Sequence, residues 1–274
     1  MTTDLQTTIA DTVNEVRGQN YLVPSITNSV TIDFVANSQL AVGGSAAMLY
    51  LPDEVEGIIP NSNAFYINLG TILPVYKHTV PIAAQALTKA EQPYVLDPVG
   101  IGLGSLRMTL LEFMKTAPPT IIRGNASEII TLAKLWEVDA TSTATPRGVD
   151  STAGVLESKT AAQKLASLIN GAVFVSGEQD LITDGEQTIL VSGGTDLMEK
   201  VTGFGCSLGG VTAVYLAHTT PFLAALTASC IYKEAANRAY TQSQAPASFK
   251  THFIDNLYML EGAAVAAVPL EIID

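Results

Sequence analysis

A glycine-rich loop that ends in a cysteine is the segment of this chain best suited to chemistry. The run Val201-Thr202-Gly203-Phe204-Gly205-Cys206 precedes an apolar, small-residue stretch, residues 207–217, whose pattern predicts a helix. Gly203 and Gly205 let backbone N–H groups approach a ligand closely, and a helix N-terminus favours phosphate and thiolate alike. We therefore predict an anion-binding loop that presents the thiol of Cys206. An ordinary tight turn is the alternative.

Other polar or glycine-bearing segments each follow a predicted strand. They are residues 27–28, 68–71, 97–100, 123–125 and 177–178. In open parallel sheets, ligands bind beyond the carboxyl ends of the strands, so we expect these segments to line one crevice. Turn chemistry explains any single segment, but their shared position favours a binding edge.

The hydrophobic pattern alternates between strands and helices, which is typical of an α/β protein with a mainly parallel sheet. The predicted strands are residues 22–26, 46–51, 64–69, 94–96, 120–122 and 172–176. The predicted helices are residues 30–42, 75–90, 106–116, 128–136 and 161–169. A hairpin with strands 180–183 and 188–191 follows, and then a largely helical region from residue 206 to about residue 262. Residues 263–273 are predicted to form an edge strand or a docking segment.

Composition limits the class of protein. With 274 residues, 47% of them hydrophobic, and no recognisable linker, we expect a single domain over residues 1–274. The net charge of −12 argues against nucleic-acid and anionic-membrane partners. Two cysteines and three histidines give neither a disulfide framework nor a metal-ligand spacing. Because neither a basic-then-apolar leader nor an apolar run of about 20 residues is present, we expect a cytoplasmic protein.

Eight short motifs occur in a characteristic order between about Pro24 and Tyr258. They are Ile26-Thr27-Asn28, Phe34-Val35-Ala36-Asn37, residues 43–48, Asn68-Leu69-Gly70-Thr71, Leu96-Asp97-Pro98-Val99-Gly100, residues 123–128, Gly148-Val149-Asp150-Ser151 and residues 201–206. In this order and spacing they resemble the hydroxyethylthiazole kinase family. The resemblance implies a ribokinase-like α/β fold, a three-layer sandwich with a mainly parallel central sheet flanked by helices. It also implies a homotrimer with active sites between subunits. The implied reaction is ATP- and Mg²⁺-dependent phosphorylation of the hydroxyl of 4-methyl-5-(2-hydroxyethyl)thiazole in thiamine salvage.

Several of these residues suit the donor side of such a reaction. Phosphoryl transfer needs cations, N–H groups and Mg²⁺ to neutralise phosphate charge. The guanidinium of Arg123 could grip a phosphate, although a surface ion pair is its ordinary role. The segment from Asn125 to Glu128 resembles the superfamily's Asn-x-x-Glu motif, in which the acid organises Mg²⁺ and its waters. A favourable charge in a first helical turn is the alternative for Glu128. The resemblance implies that Arg123, Asn125 and Ser176 contact ATP and that Glu128 and Asp97 serve the metal.

The acceptor side is inferred from the resemblance, which implies that Asn28, Met48, Gly70 and Gly203 line the thiazole site. An Asn28 amide can hydrogen-bond a small heterocycle, and Met48 offers a polarizable apolar wall. Taken alone, Met48 is typical of a core residue.

The resemblance implies that Gly203, Gly205 and Cys206 form the catalytic loop. The family carries cysteine where many ribokinase-like enzymes have an aspartate base. A helix N-terminus is expected to lower the pKa of the Cys206 thiol, which would act as a weak base or as a neighbour of the reacting hydroxyl. A buried helix-cap thiol is the alternative.

One residue of this loop departs from the family. Phe204 stands where a small Thr or Ser is expected, so a hydroxyl donor to the phosphate is missing and a phenyl ring is expected to crowd the loop. This leaves two further hypotheses: a ribokinase-like kinase of shifted small-alcohol substrate, and a thiazole-binding homologue that transfers phosphate poorly. A cysteine hydrolase is disfavoured, because no histidine lies in a partner motif.

Overall fold

A mainly parallel sheet runs through the middle of the protein. The computed structural model describes residues 2–139 and 154–273, so the motif Gly148-Val149-Asp150-Ser151 lies outside the described residues. Within the described residues, nine strands form one sheet in the order β2-β1-β3-β4-β5-β6-β7-β8-β9. The strands from β2 to β6 are parallel, and β7, β8 and β9 are added antiparallel.

The strands are short and mostly apolar. They are β1 (Leu22–Ile26), β2 (Ser45–Met48), β3 (Phe65–Asn68), β4 (Tyr94–Asp97), β5 (Ile121–Asn125), β6 (Ala172–Ser176), β7 (Asp180–Thr183), β8 (Thr188–Val191) and β9 (Leu270–Ile273). A central parallel strand is covered on both faces, which explains the continuous apolar runs of β3 and β6. The predicted bounds of β1, β6, β7 and β8 agree with the structure. The segment after residue 262 includes an edge strand, one of its two predicted forms.

Helices cover both faces of the sheet. They are α1 (Thr2–Val16), α2 (Ile32–Ala41), α3 (Pro52–Ile58), α4 (Tyr76–Lys89), α5 (Ser105–Met114), α6 (Ala126–Leu135), α7 (Lys159–Ile169), α8 (Phe204–Leu216), α9 (Pro221–Gln242), α10 (Pro246–Met259) and α11 (Gly262–Ala266). The sequence pattern missed α1, α3 and α11, the last of which occupies the first part of the predicted segment 263–273. The pattern predicted that α8 begins at residue 207, whereas the helix begins at Phe204. Gly203 directly precedes it and has a φ of +98°, which favours glycine.

In residues 2–139 and 154–273, two hydrophobic cores lie on opposite faces of the sheet. One joins the sheet to α1, α2 and α8 to α10, and the other joins it to α3 to α7. Adjacent strand residues alternate between them: Tyr66 packs in the first core and Ile67 in the second. The predicted three-layer α/β sandwich is therefore confirmed.

Candidate active site

Polar side chains collect at the carboxyl ends of neighbouring parallel strands. Asn68 and Asp97 end β3 and β4 and face each other in register, and Asn125 and Ser176 do the same at the ends of β5 and β6. Asn28 follows β1, the next strand along. The sheet thus brings the predicted polar segments to one edge, the position where α/β proteins bind ligands.

Asp97 lies at the centre of this edge and is fully buried. Its Oδ2 accepts hydrogen bonds from Tyr66 Oη at 3.0 Å, Asn68 Nδ2 at 3.2 Å and Arg123 Nη1 at 3.2 Å. Its Oδ1 has no hydrogen-bond partner among the described residues. Burial raises the pKa of Asp97, and the guanidinium of Arg123 opposes that shift. One carboxylate oxygen therefore remains available to a ligand.

Arg123 is buried beneath the glycine loop. Its Nη1 pairs with Asp97, and its Nη2 donates to the hydroxyl of Ser176. A Cβ atom on residue 205 would lie only 2.8 Å from Nη1 and 2.9 Å from Nη2. Gly205 is therefore needed for the guanidinium to lie against the loop. The alternative of a surface ion pair for Arg123 is wrong, since its exposed fraction is 6%.

Asn125 and Glu128 form a capping box at the start of α6. Asn125 Oδ1 accepts from the backbone N–H of Glu128 at 2.9 Å, and Glu128 Oε2 accepts from that of Asn125 at 2.9 Å. Glu128 Oε1 accepts from the N–H of Gly100 at 3.1 Å and so ties the loop after β4 to α6. Burial, and then the charge of Asp97, raise the pKa of Glu128 to about 7. This carboxyl combines the structural role expected of a first-turn acid with a perturbed acidity.

Asn28 and Gly70 form the other end of the site. Asn28 Nδ2 donates to Asn68 Oδ1 at 3.1 Å and to Cys206 Sγ at 3.4 Å. Its Oδ1 accepts from two backbone N–H groups of its own turn, which fixes the amide. The N–H of Gly70 donates to Asn68 Oδ1 at 2.9 Å, and a Cβ on residue 70 would lie 3.0 Å from Asn28 Nδ2. Met48 is half-buried at the end of β2, opposite Ser25 of β1.

The glycine loop becomes the first turn of α8. A Cβ on residue 203 would lie 2.8 Å from Thr31 Cγ2, so this position needs a glycine for space as well as for its φ. The N–H of Ser207 makes the first helical bond, to the carbonyl of Gly203 at 2.8 Å. The N–H groups of residues 204–206 precede it and have no acceptor within the helix, which makes this terminus suitable for an anion.

Cys206 differs from its sequence-based prediction. Burial raises the pKa of its thiol, and the negative charge of Asp97 raises it further, against the opposing effects of Thr31 and Arg123. The expectation that the helix N-terminus lowers this pKa is therefore wrong. A thiol with a raised pKa is protonated near neutral pH, so it is a neighbour of the site rather than a ready base.

Phe204 also differs from its prediction. Its ring is 5% exposed and lies among aromatic side chains, with centroids 4.6 Å from Phe253, 5.0 Å from Phe34 and 5.6 Å from Phe249. The ring is directed into the helical layer between α2, α8 and α10. The expectation that it crowds the anion loop is therefore wrong, because its bulk belongs to the core.

The sequence did not single out two further residues of this edge, Tyr66 and Arg107. Tyr66 Oη lies 2.7 Å from the carbonyl oxygen of Cys206 and accepts from Asn68 Nδ2 at 2.9 Å, and Arg107 Nε donates to the carbonyl of Leu69 at 3.1 Å. The phenol of Tyr66 lies in a strand that is buried on both faces, so its hydroxyl needs polar partners. The positive charge of Arg107 lies in the first turn of α5, where the helix dipole disfavours it. Either feature of the sequence could have indicated a polar site nearby.

Among the described residues, no helix is long and apolar enough to cross a bilayer. In the same residues, no three His, Cys, Asp or Glu side chains are grouped so that they could hold a metal ion by themselves.

The sequence profile described as "Hydroxyethylthiazole kinase family" matches residues 13–262. The chain belongs to this family. The hydroxyethylthiazole kinase of Bifidobacterium adolescentis is 46% identical over 274 residues, which cover 96% of this chain and 93% of the relative. As a hydroxyethylthiazole kinase family member, the chain is also similar to the hydroxyethylthiazole kinase structure from Pyrococcus horikoshii. That similarity has a TM-score of 0.88 at 28% identity and covers 98% of this chain and 100% of the other.

A more distant structure shares the fold alone. The pyridoxal kinase from Staphylococcus aureus in complex with AMP-PCP and pyridoxal is 15% identical, with a TM-score of 0.59 over 80% of this chain and 88% of the other. The hydroxyethylthiazole kinase family and the ribokinase-like fold that the sequence motifs predicted are both confirmed.

Proposed function

We propose that this chain transfers the terminal phosphoryl group of ATP to the hydroxyl of 4-methyl-5-(2-hydroxyethyl)thiazole, a salvage step of thiamine biosynthesis. The observation that carries the proposal is the buried Arg123–Asp97 pair, which lies directly beneath Gly205 at the N-terminus of α8. A fixed guanidinium and free helix-terminal N–H groups together form an anion site in a protein of net charge −12.

The donor phosphates would lie between Arg123 and the first turn of α8. Arg123 is held by Asp97 and Ser176, so its charge is fixed before ATP arrives. Asn125 belongs to the same edge, next to Ser176 across β5 and β6. Such preorganised donors stabilise the charge that spreads over the transferring phosphoryl group. Gly203 and Gly205 contribute backbone rather than side chains.

Asp97 and Glu128 are the residues that would hold Mg²⁺. Asp97 Oδ1 is buried without a partner among the described residues, and the charge of Asp97 raises the pKa of Glu128. A cation between these groups would relieve their repulsion, so the residues fit the ion. Since Mg²⁺ keeps several waters, it does not need a third carboxylate. When bound, Mg²⁺ would neutralise charge on the phosphates of ATP.

The acceptor alcohol would lie at the Asn28 end of the edge, with Gly70, Gly203 and Met48 around the heterocycle. Cys206 lies 3.4 Å from Asn28 Nδ2 and would be next to the reacting hydroxyl. A protonated thiol orients that hydroxyl rather than deprotonating it. This is compatible with a loose phosphoryl-transfer transition state, which requires little early proton removal.

We further propose a single-domain subunit that assembles into a homotrimer with shared active sites and works in the cytoplasm. Both hydrophobic cores pack on one sheet, which supports a single domain.

Exposed apolar side chains support the assembly. Val30, Leu40 and Leu51 are 64%, 52% and 47% exposed. A groove of about 580 Å³ lies between α2 and α10 and is lined in part by Tyr258 and Met259. This apolar surface supports assembly. Three chains of 28.8 kDa would give about 86 kDa in light scattering. The two free thiols are compatible with a reducing compartment.

A coupled assay of ADP release tests the reaction. ADP should form with the thiazole alcohol and ATP, and much more slowly with hydroxymethylpyrimidine or pyridoxal. Faster turnover of either control alcohol would favour the shifted-substrate alternative. Thermal stabilisation by the thiazole alcohol without ADP release would favour a binding protein that transfers phosphate poorly. The Arg123→Met variant is the matched negative control.

A further inference from the structure

A buried lysine of α9 holds the turn that follows β6. The side chain of Lys233 is 4% exposed, and its Nζ donates to the carbonyl oxygens of Gly177 at 3.0 Å and Glu178 at 2.9 Å. The same Nζ lies 3.3 Å from Asp180 Oδ1. An ammonium has three N–H donors, so these three acceptors satisfy it fully.

Asp180 completes this arrangement from the far end of the turn. Its Oδ1 also accepts from the N–H of Gly177 at 3.1 Å, and its Oδ2 accepts from Ser229 Oγ at 2.7 Å. A buried ion pair contributes little net stability, because both charges lose their water. The ion pair with Asp180 therefore does not explain why Lys233 is buried here. Its hydrogen bonds to the carbonyl groups of Gly177 and Glu178 indicate that it holds the turn after β6.

The stem of the same lysine supports a second loop, which leaves β8. A Cβ on Gly193 would lie 3.2 Å from Lys233 Cβ, and one on Gly194 would lie 3.1 Å from Lys233 Cδ. The N–H of Gly194 donates to Asn237 Oδ1 at 2.9 Å, one helical turn beyond the lysine on α9. These glycines lie directly on the stem of Lys233, so residues 192–195 and the turn after β6 both contact this one side chain.

The two loops also contact each other and the proposed donor site. Gln179 Nε2 donates to Ser192 Oγ at 2.8 Å. Gly177 directly follows Ser176, whose hydroxyl accepts from Arg123. Along the sheet, the proposed acceptor residues follow β1 and β3 and the proposed phosphate residues follow β4 and β5. If ATP binds in this order, its nucleoside would lie on the side of β6 to β8.

We propose that Lys233 is a positioning residue for the nucleotide, which joins residues 177–179 and 192–195 into one rim on the nucleoside side of the site. The inference rests on the proposed function, since it takes ATP as the ligand of this edge. Lys233 touches neither substrate in this proposal. It acts by fixing the backbone that receives the nucleoside.

The Lys233→Met variant removes the ammonium and keeps most of the stem. The KM for ATP should rise about tenfold, while kcat and the KM for the thiazole alcohol stay within about twofold. Ser229→Ala is the matched control, because it removes a hydrogen bond from the same Asp180 without touching either loop. It should lower Tm and leave the KM for ATP unchanged. An equal rise in that KM in both variants would reject a positioning role for Lys233.

The double variant Asp180→Asn, Lys233→Met keeps the test valid if the single variant fails to fold, because it leaves no unpaired buried charge. Binding of the ATP analogue AMP-PCP, measured by calorimetry without the alcohol, should be about tenfold weaker than in the unmodified protein. Equal affinity would overturn the proposal for Lys233 and leave the proposed function intact. If the unmodified protein neither binds AMP-PCP nor releases ADP, the proposed function itself fails, and the inference fails with it.

Discussion

The phenol ring of Tyr66 fills the space that a side chain on Gly209 would need. A Cβ on residue 209 would lie 2.5 Å from Cε2 and 2.6 Å from Oη of that ring. This contact lets α8 approach β3 closely, so the phenol reaches both Asp97 and the carbonyl of Cys206. A tyrosine at position 66 therefore requires a glycine at position 209, and together they set the height of the glycine loop above the sheet.

The Gly209→Ala variant should be destabilised by about 1–3 kcal/mol, because its new methyl group overpacks a buried ring that has nowhere to move. Its Tm should fall, and kcat should fall with it as α8 shifts away from Asp97. Gly57→Ala is the control, since no atom in the part of the chain that the structure describes lies within 4 Å of its added Cβ. The double variant Tyr66→Leu, Gly209→Ala should regain Tm. An unchanged Tm in Gly209→Ala would contradict the close contact.

The Arg123→Met variant should lose measurable ATP binding and about 3–5 kcal/mol of stability, because it leaves the Asp97 carboxylate buried and unpaired. Chemical denaturation and calorimetry measure the two effects. Arg238→Met removes an exposed ion pair with Glu234 and should cost less than about 0.5 kcal/mol. Adding Asp97→Asn to Arg123→Met should restore stability without restoring ATP binding. If ATP affinity survived the loss of Arg123, the donor site would have to lie elsewhere.

Activity at limiting Mg²⁺ should fall as the pH drops through about 7, where Glu128 gains a proton. The raised pKa means that this carboxyl is neutral below that value, and a neutral acid cannot organise the cation. Because Mg²⁺ favours the charged form of Glu128, saturating Mg²⁺ should move this fall in activity to lower pH. Glu128→Gln should lower kcat and remove the part of this pH dependence that comes from Glu128. ATP also titrates, and it does so with the unmodified protein and with Glu128→Gln alike. A fall in activity at low pH that is the same in both proteins would therefore be due to the nucleotide and would contradict the role of Glu128.

The Cys206 thiol should react slowly with iodoacetamide at pH 7.5, more slowly than free cysteine, because burial and Asp97 raise its pKa. Cys206→Ala distinguishes its labelling from that of Cys230, which is fully buried. This variant should lower kcat with little change in affinity for the thiazole alcohol, whereas Cys206→Asp should preserve or raise turnover by supplying a base. Rapid labelling at neutral pH would show a thiolate and restore the weak-base hypothesis.

The Phe204→Thr variant should lose about 3–5 kcal/mol of stability, since it empties the centre of an aromatic cluster between three helices. A gain in kcat is not expected, because the ring is directed away from the anion loop. Thermal denaturation and steady-state kinetics measure the two effects. A stable variant with faster turnover would show that a hydroxyl at position 204 does reach the phosphate.

The sequence predicted strands more reliably than side-chain environments. β6 reads as a short apolar run that ends at a polar residue, and this local pattern is enough to define a buried parallel strand. The orientation of Phe204 depends on α10, whose residues lie far along the chain. The hydrophobic periodicity of a helix shows which of its residues lie on the same face, but it does not show which other helix packs against that face.

The properties of the candidate site depended even more on distant residues. The motifs placed Arg123 and Asp97 at strand ends, yet the burial of their pair depends on the glycine loop that covers it. A helix N-terminus alone predicted a lowered pKa for Cys206. The opposite shift comes from desolvation and from Asp97, and neither is visible in the local sequence. The link between Tyr66 and Cys206 spans 140 positions and has no local signature.

The strand β9 covers the outer edge of β8, at the end of the sheet farthest from β2. β9 pairs antiparallel with β8 from Leu270 to Ile273, so the outer backbone groups of β8 form ladder bonds within the same molecule. An unpaired strand edge is a template on which other chains can aggregate. β9 is therefore the edge strand on this side of the sheet, and its Glu271 places a charge on that strand, which is one way in which proteins discourage strand pairing. A truncation before residue 270 would make the more apolar β8 the edge strand, while leaving the proposed active-site edge untouched.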